Sequence, residues 1–172
     1  MTPRYAKDLL VVHHSLTKDG VTVSWSAIRR FHTSWRHGDQ AVTAAEAAAL
    51  KAAGKRVEPP WEDNGYNLGV EFVSEHYELL AGRPLSAKAA ACPQFNANER
   101  GIHVCFVGNY DEIPPPEAML RFAAPHLAHV CGLAGIVTDS THVIGHRDLN
   151  PAKSCPGTQF SVGRLIALMQ EA

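Results

Sequence analysis

LLVVHHS, residues 9–15, is a run of four branched apolar side chains ending in two histidines. Such a run, with no polar alternation, is the pattern of a strand covered on both faces, so it is expected at the centre of a sheet. Neighbours on a strand project to opposite faces, and therefore only one of His13 and His14 can point into a given site. Its natural counterpart is GHRDLNPAKSCPG, residues 145–157, which gathers His146, Asp148, Lys153 and Cys155 in a stretch punctuated by glycine and proline. Zinc accepts imidazole nitrogen and thiolate sulfur together, and a catalytic zinc takes three protein ligands and keeps one position open. A histidine from the strand end, with His146 and Cys155, makes up such a set.

Spacing alone leaves alternatives open. One histidine and one cysteine in a loop also describe an ordinary turn. A closed structural zinc would need a fourth cysteine or histidine, and there is no CxxC pair to supply it. Asp148 is expected to order the loop, or to accept a hydrogen bond from a ligand imidazole, rather than to bind metal itself. Lys153, two residues before Cys155, suits stabilisation of a developing oxyanion. Tyr66, at the start of a strand, is a second candidate for hydrogen-bonding a nucleophilic water or the intermediate.

Working outward, Ser24 is expected to cap a helix through SWSAIRRFHTSW, in which Ile28 and Phe31 pack into the core and one of Trp25, His32 and Trp35 lines a groove. Residues 36–63 read as a surface insertion. Within it, Thr43 caps an alanine-rich helix that stops at Gly54, and VEPPWED is a proline-bound loop whose Trp61 lies over a substrate. The alternation from Tyr66 to Val73, a Ser74-Glu75 turn and a return from Tyr77 to Leu80 predict a hairpin. Ser86 to Arg100 reads as loop, and GIHVCFVG as another buried strand. Pro114 to Pro116 open a long amphipathic helix that stops near Gly132, with Pro125 predicting a kink or break and His126 and His129 read as surface or packing residues rather than ligands. Thr141 to Ile144 is a short strand delivering His146, and Phe160 to Met169 a closing helix. Strands and helices alternate, which predicts a mixed α/β fold: one domain over residues 1–172, with a single central mixed sheet flanked by helices.

The bulk composition narrows the function. With 45% apolar and 19% charged residues in 172, the chain is of ordinary globular composition. A net charge of −1 offers no basic field to nucleic acid or acidic lipid. No stretch reaches the roughly 18 apolar residues of a membrane span, and the apolar run before His13 is too short for a signal peptide. The chain is therefore expected to be cytoplasmic as synthesised and to act as a monomer. Four cysteines suggest two disulfides in a secreted protein. If Cys155 binds metal, three remain, and Cys105 and Cys131 are read as small buried residues.

Five stretches together, VVHHS at 11–15, DNGYN at 63–67, AGRP at 81–84, FNANERGIHVCFVGNYD at 95–111 and GHRDLNPAKSCPG at 145–157, resemble the type 2 zinc N-acetylmuramoyl-L-alanine amidases. That class includes bacteriophage lysozyme-like amidases and animal peptidoglycan recognition proteins. The resemblance implies a five- or six-stranded mixed sheet with zinc (Zn2+) at the base of a groove. It makes His13, His146 and Cys155 the ligands, leaves His14 in a neighbouring role, and has Tyr66 and Lys153 assist the intermediate. The implied activity is hydrolysis of the amide between N-acetylmuramic acid and L-alanine in peptidoglycan or a muropeptide, by a lysin or wall-remodelling enzyme. A cytoplasmic amidase recycling soluble anhydro-muropeptides and a peptidoglycan-binding module without catalysis are the alternatives. Non-hydrolytic members often lack the cysteine that this chain keeps. Three departures stand out: a slightly longer loop from His146 to Cys155, Ala91 where relatives commonly have histidine, and the long 36–63 insertion.

Overall fold

A computed structural model describes residues 5–17 and 24–172. Strand β1 (Leu9–His14) is buried at all six positions, as its unbroken apolar run requires. It pairs in parallel on one side with β6 (Gly101–Phe106) and on the other with β7 (Val143–Gly145). Beyond β6 lie β4 (Leu68–Val73), also parallel, and β5 (His76–Ala81), antiparallel at the edge, giving the order β5-β4-β6-β1-β7. Among the described residues the sheet is five-stranded and mixed. The β4–β5 hairpin turns at Ser74 and Glu75, both with positive φ (46° and 74°), as an inverse-handed two-residue turn demands.

The two faces differ in chemistry. Leu10, Val12, Val70, Ile102, Val104 and Phe106 project to one face and meet α4 (Glu117–Ala134) and α6 (Val162–Gln170) in the main core. Each such side chain contributes about 2 kcal/mol by leaving water, so this face holds the sheet together. The opposite face carries Val11, His13, His103, Cys105, Gly69 and Glu71. A smaller cluster of Leu9, Val11, Cys92 and Ala97 covers part of it. Helix α1 (Trp25–His32), capped by Ser24 as predicted, lies against another part: a Cβ on Gly69 would sit 2.5 Å from the Trp25 ring.

Two expectations need correction. Pro125 neither breaks nor ends α4, which runs on to Ala134 and stops at Gly135 (φ 73°). Both Pro125 and Arg121, whose carbonyl loses its helical partner, lie on the exposed side of the helix, while Leu127, Val130 and Cys131 stay buried. The stretch from Ser86 to Arg100 is not all loop. It ends in a 3₁₀ turn (Gln94–Asn96) and a one-turn helix, α3 (Ala97–Arg100), entered through left-handed Phe95 and Asn96.

Residues 36–63 form structure of their own. A hairpin of β2 (Trp35–His37) and β3 (Gln40–Val42) leads to α2 (Ala44–Ala52), where Thr43 and Glu46 make a reciprocal capping box. The following segment is tied back by a bridge between Glu58 and Arg36. Arg36 is 5% exposed. Its guanidinium donates to the carbonyls of His32 and Pro59 and stacks on Trp61, 4.4 Å from the ring centroid. Trp61 in turn packs on His32, with ring centroids 4.6 Å apart. All four cysteines are buried and unbridged. His126 and His129 are exposed, as expected. Among the described residues no helix is long and apolar enough to cross a membrane.

Candidate metal centre

In an open sheet with parallel strands, ligands gather beyond the carboxyl ends of those strands. Here β1 ends at His13 and His14, and β7 ends at Gly145, one residue before His146. The one-turn helix α5 (His146–Leu149) begins there, and Asp148 Oδ2 accepts from the Gly145 N–H at 2.7 Å. Asp148 thus orders the segment and makes no bond to an imidazole. The loop that follows brings Cys155 back over the strand ends. A Cβ on Gly145 would lie 2.7 Å from Pro156 Cδ, so only glycine lets these two segments approach so closely. Asp111, just after β6, accepts from Ser154 Oγ (2.7 Å) and the Thr158 N–H (2.8 Å). Arg147 donates to the carbonyls of Gly157 and Phe160 from the other side. The loop bearing Lys153 and Cys155 is clamped at both ends.

His13, His146 and Cys155 each offer a donor atom within 4.8 Å of the other two, and all three are buried. Cys155 Sγ lies 3.5 Å from His13 Nδ1. A tetrahedral centre with nitrogen at 2.0–2.1 Å and sulfur at 2.3 Å has a nitrogen–sulfur edge of roughly 3.5 Å, so the pair is already spaced for zinc. His14 projects to the other face of β1. Its Nδ1 accepts from the Tyr110 N–H (3.2 Å), while its own backbone N–H points at Cys155 Sγ (3.4 Å).

The electrostatics suit a cation. Burial, reinforced by His103 and His146, holds the His13 imidazole well below its ordinary pKa, and burial then Lys153 lowers that of His146. Both rings are therefore neutral at pH 7, with lone pairs to give. Burial pushes the Cys155 thiol up to about 11, opposed by the His14 N–H. A thiol so raised is protonated at neutral pH, and its Sγ stands within hydrogen-bond reach of His13 Nδ1. Two imidazoles and one thiol, dry and converging, fit zinc as a donor set.

A groove of about 780 Å³ opens over these residues. Tyr66 and Lys153 both line it. The Tyr66 ring packs 5.2 Å from His13 and 6.2 Å from Trp25, and burial, with the thiols of Cys105 and Cys155 nearby, raises its phenol well above the ordinary value. It is a proton donor at neutral pH. The Lys153 side chain is exposed, and among the described residues it makes no ion pair. Residues 3–158 match the N-acetylmuramoyl-L-alanine amidase family over most of the chain. The chain belongs to that family. An N-acetylmuramoyl-L-alanine amidase of Sus scrofa is 32% identical over 97 residues, which are 56% of this chain and 15% of that protein, so the chain spans a small part of this curated relative. Among solved structures, the endolysin amidase LysCS of Clostridium intestinale superposes with a TM-score of 0.66 at 17% identity, covering 97% of this chain and 86% of that one. Peptidoglycan recognition protein-LE, in complex with tracheal cytotoxin, gives 0.60 at 18%, covering 91% and 77%. These likenesses establish the amidase and recognition-protein fold.

Within that family fold, several groove residues were not foreseen. Phe31, expected in the core, lines the groove with Ile28, and of the three candidates in its helix region His32 is the one that joins them. Trp61 sits behind His32 rather than over the opening. Gly38 and Asp39, the tip of the β2–β3 hairpin, form part of the far wall, and Ala91 stands on the rim. His13 also turns its Nε2 to Nδ1 of His103 at 2.9 Å. The only sequence signal for His103 is its place in a strand that is otherwise apolar.

Proposed function

We propose that the chain is a zinc-dependent N-acetylmuramoyl-L-alanine amidase, hydrolysing the amide between N-acetylmuramic acid and the L-alanine of the peptide stem. The observation that carries this reading is the convergence of His13, His146 and Cys155 at the floor of a groove whose walls hold Tyr66 and Lys153. Those three residues would hold the metal. Zinc in such a site supplies Lewis acidity to a carbonyl and makes water nucleophilic near neutral pH. Lys153 donates to the carbonyl oxygen of the scissile amide as that oxygen gains negative charge. Tyr66, held protonated, hydrogen-bonds the nucleophilic water or the tetrahedral intermediate from the β4 side. The apolar wall of Ile28 and Phe31 receives the less polar faces of sugar and peptide.

Membership of the amidase family and the likeness to an endolysin amidase support a lysin that acts on intact wall. Metal content and wall hydrolysis, measured on one preparation before and after chelation, test the reading. About one zinc per chain, with new L-alanine amino termini that disappear on chelation, is the expected result. Cleavage of soluble anhydro-muropeptides but not of wall would assign the chain to recycling instead. The fold of a recognition protein solved with tracheal cytotoxin favours one further reading, a binding module without catalysis. Zinc and muropeptide binding with no product would establish that reading and remove the enzyme.

A further inference from the structure

We propose that His103 is a positioning residue, one that sets the tautomer of His13 and aims its Nδ1 into the metal centre. The proposal rests on His13 being a ligand, but not on what the groove binds. Hydrogen-bond direction carries the argument. The Ala97 carbonyl lies 2.8 Å from His103 Nε2, and a carbonyl only accepts, so that nitrogen carries the proton. Among the described residues no carboxylate is hydrogen-bonded to either ring, and His103 is fully buried, where an unpaired charge is costly, so the ring is neutral and Nδ1 is a bare acceptor. Facing it at 2.9 Å, His13 Nε2 must then donate. A neutral His13 protonated on Nε2 has its one lone pair on Nδ1, the atom directed at Cys155. The chain from Ala97 through His103 to His13 allows one neutral arrangement, and that arrangement is the one able to bind metal.

The surroundings are built for this ring. A Cβ on Gly101 would stand 2.7 Å from both His103 Nε2 and the Ala97 oxygen, so glycine opens the space the imidazole fills. Lys7 donates to the carbonyls of Ala87, Glu99 and Gly101 (2.9, 2.8 and 3.0 Å), pinning the segment that presents Ala97. Outer partners of ligand histidines fix ring orientation and raise basicity, and their loss costs about 10–100-fold in metal affinity.

Two substitutions separate the acceptor role from mere filling of the site. His103→Asn keeps an acceptor near the position of Nδ1, whereas His103→Gln keeps only a donor near that of Nε2. Zinc affinity is read by competition with a chelator, and nitrogen-15 NMR of the metal-free wild type reads the His13 tautomer. We expect His13 protonated on Nε2, affinity falling about 10–100-fold in His103→Gln, and recovery to within about threefold of wild type in His103→Asn. A His13 proton on Nδ1 would overturn the proposal, whatever the variants do. So would wild-type affinity in both variants, or equal loss in both. None of these measurements uses peptidoglycan, so the proposal and the amidase reading fail separately.

Discussion

Cys155 Sγ lies 3.5 Å from His13 Nδ1, although the two residues stand 142 positions apart. That is the edge a tetrahedral zinc site requires, and the hydrogen bonds of Asp111 and Arg147 hold the Cys155 loop at it. Cys155→Ala removes the sulfur and leaves two imidazoles. It should abolish both stoichiometric zinc after gel filtration and cleavage of wall. Full activity in this variant would sink the metal reading.

Zinc binding should release a counted proton. At pH 7 the two histidines are neutral and the Cys155 thiol, with its pKa near 11, is protonated. Only the thiol has a proton to lose, so loading releases about one proton per chain. Titration calorimetry in buffers of different ionisation enthalpy reads that number. Release near zero would mean that the thiol is not a ligand.

Lys153→Ala should keep zinc and folding but lower kcat. Loss of one oxyanion donor costs about 10²–10³-fold. Tyr66→Phe should likewise act on kcat more than on KM. An unchanged rate in Lys153→Ala would remove that residue from the chemistry.

Arg36 fastens residues 36–63 to the end of α1 through two carbonyls and the face of Trp61. Arg36→Met breaks charge-assisted bonds in a buried place and should destabilise the protein by about 2–4 kcal/mol. Because His32 and the Gly38–Asp39 tip both line the groove, substrate KM should rise as well. Chemical denaturation together with steady-state kinetics checks both effects.

Acid should weaken the metal-free protein through His32. Burial lowers this ring to about 4 from an ordinary 6.5, and its Nδ1 accepts from the Gly65 N–H at 3.1 Å. Between those values the unfolded chain binds more protons than the folded one, so stability is full above pH 6.5 and falls as pH drops toward 4. The loss attributable to His32 is roughly 3 kcal/mol. Urea midpoints at pH 7 and pH 4, compared between wild type and His32→Gln, isolate it. Equal acid sensitivity in the two proteins would overturn this assignment.

Sequence signals were strongest where one local rule dominates. The apolar run before His13, the Thr43 cap and the Ser74–Glu75 turn each declare their structure without help from distant residues. The failures came where tertiary context overrode a local rule. Pro125 looks like a helix breaker until its solvent-facing position is known. A phenylalanine in left-handed conformation at Phe95 has no local advertisement, so the turn into α3 could not be read. Within the site, motif residues were legible as chemistry, but His103 was not. A histidine in a buried strand reads as packing until the β1–β6 pairing places it beside His13.

That pairing also sets an order of events during synthesis. Strand β1 pairs with β6 and β7, both far downstream. Its apolar side chains and unpaired backbone must wait until those strands have emerged, and contacts of such long sequence separation make folding slow. His13 leaves the ribosome long before Cys155, so a nascent chain cannot assemble the candidate centre. Any metal held by His13, His146 and Cys155 can bind only after residue 155 has emerged and its loop has folded over the strand ends.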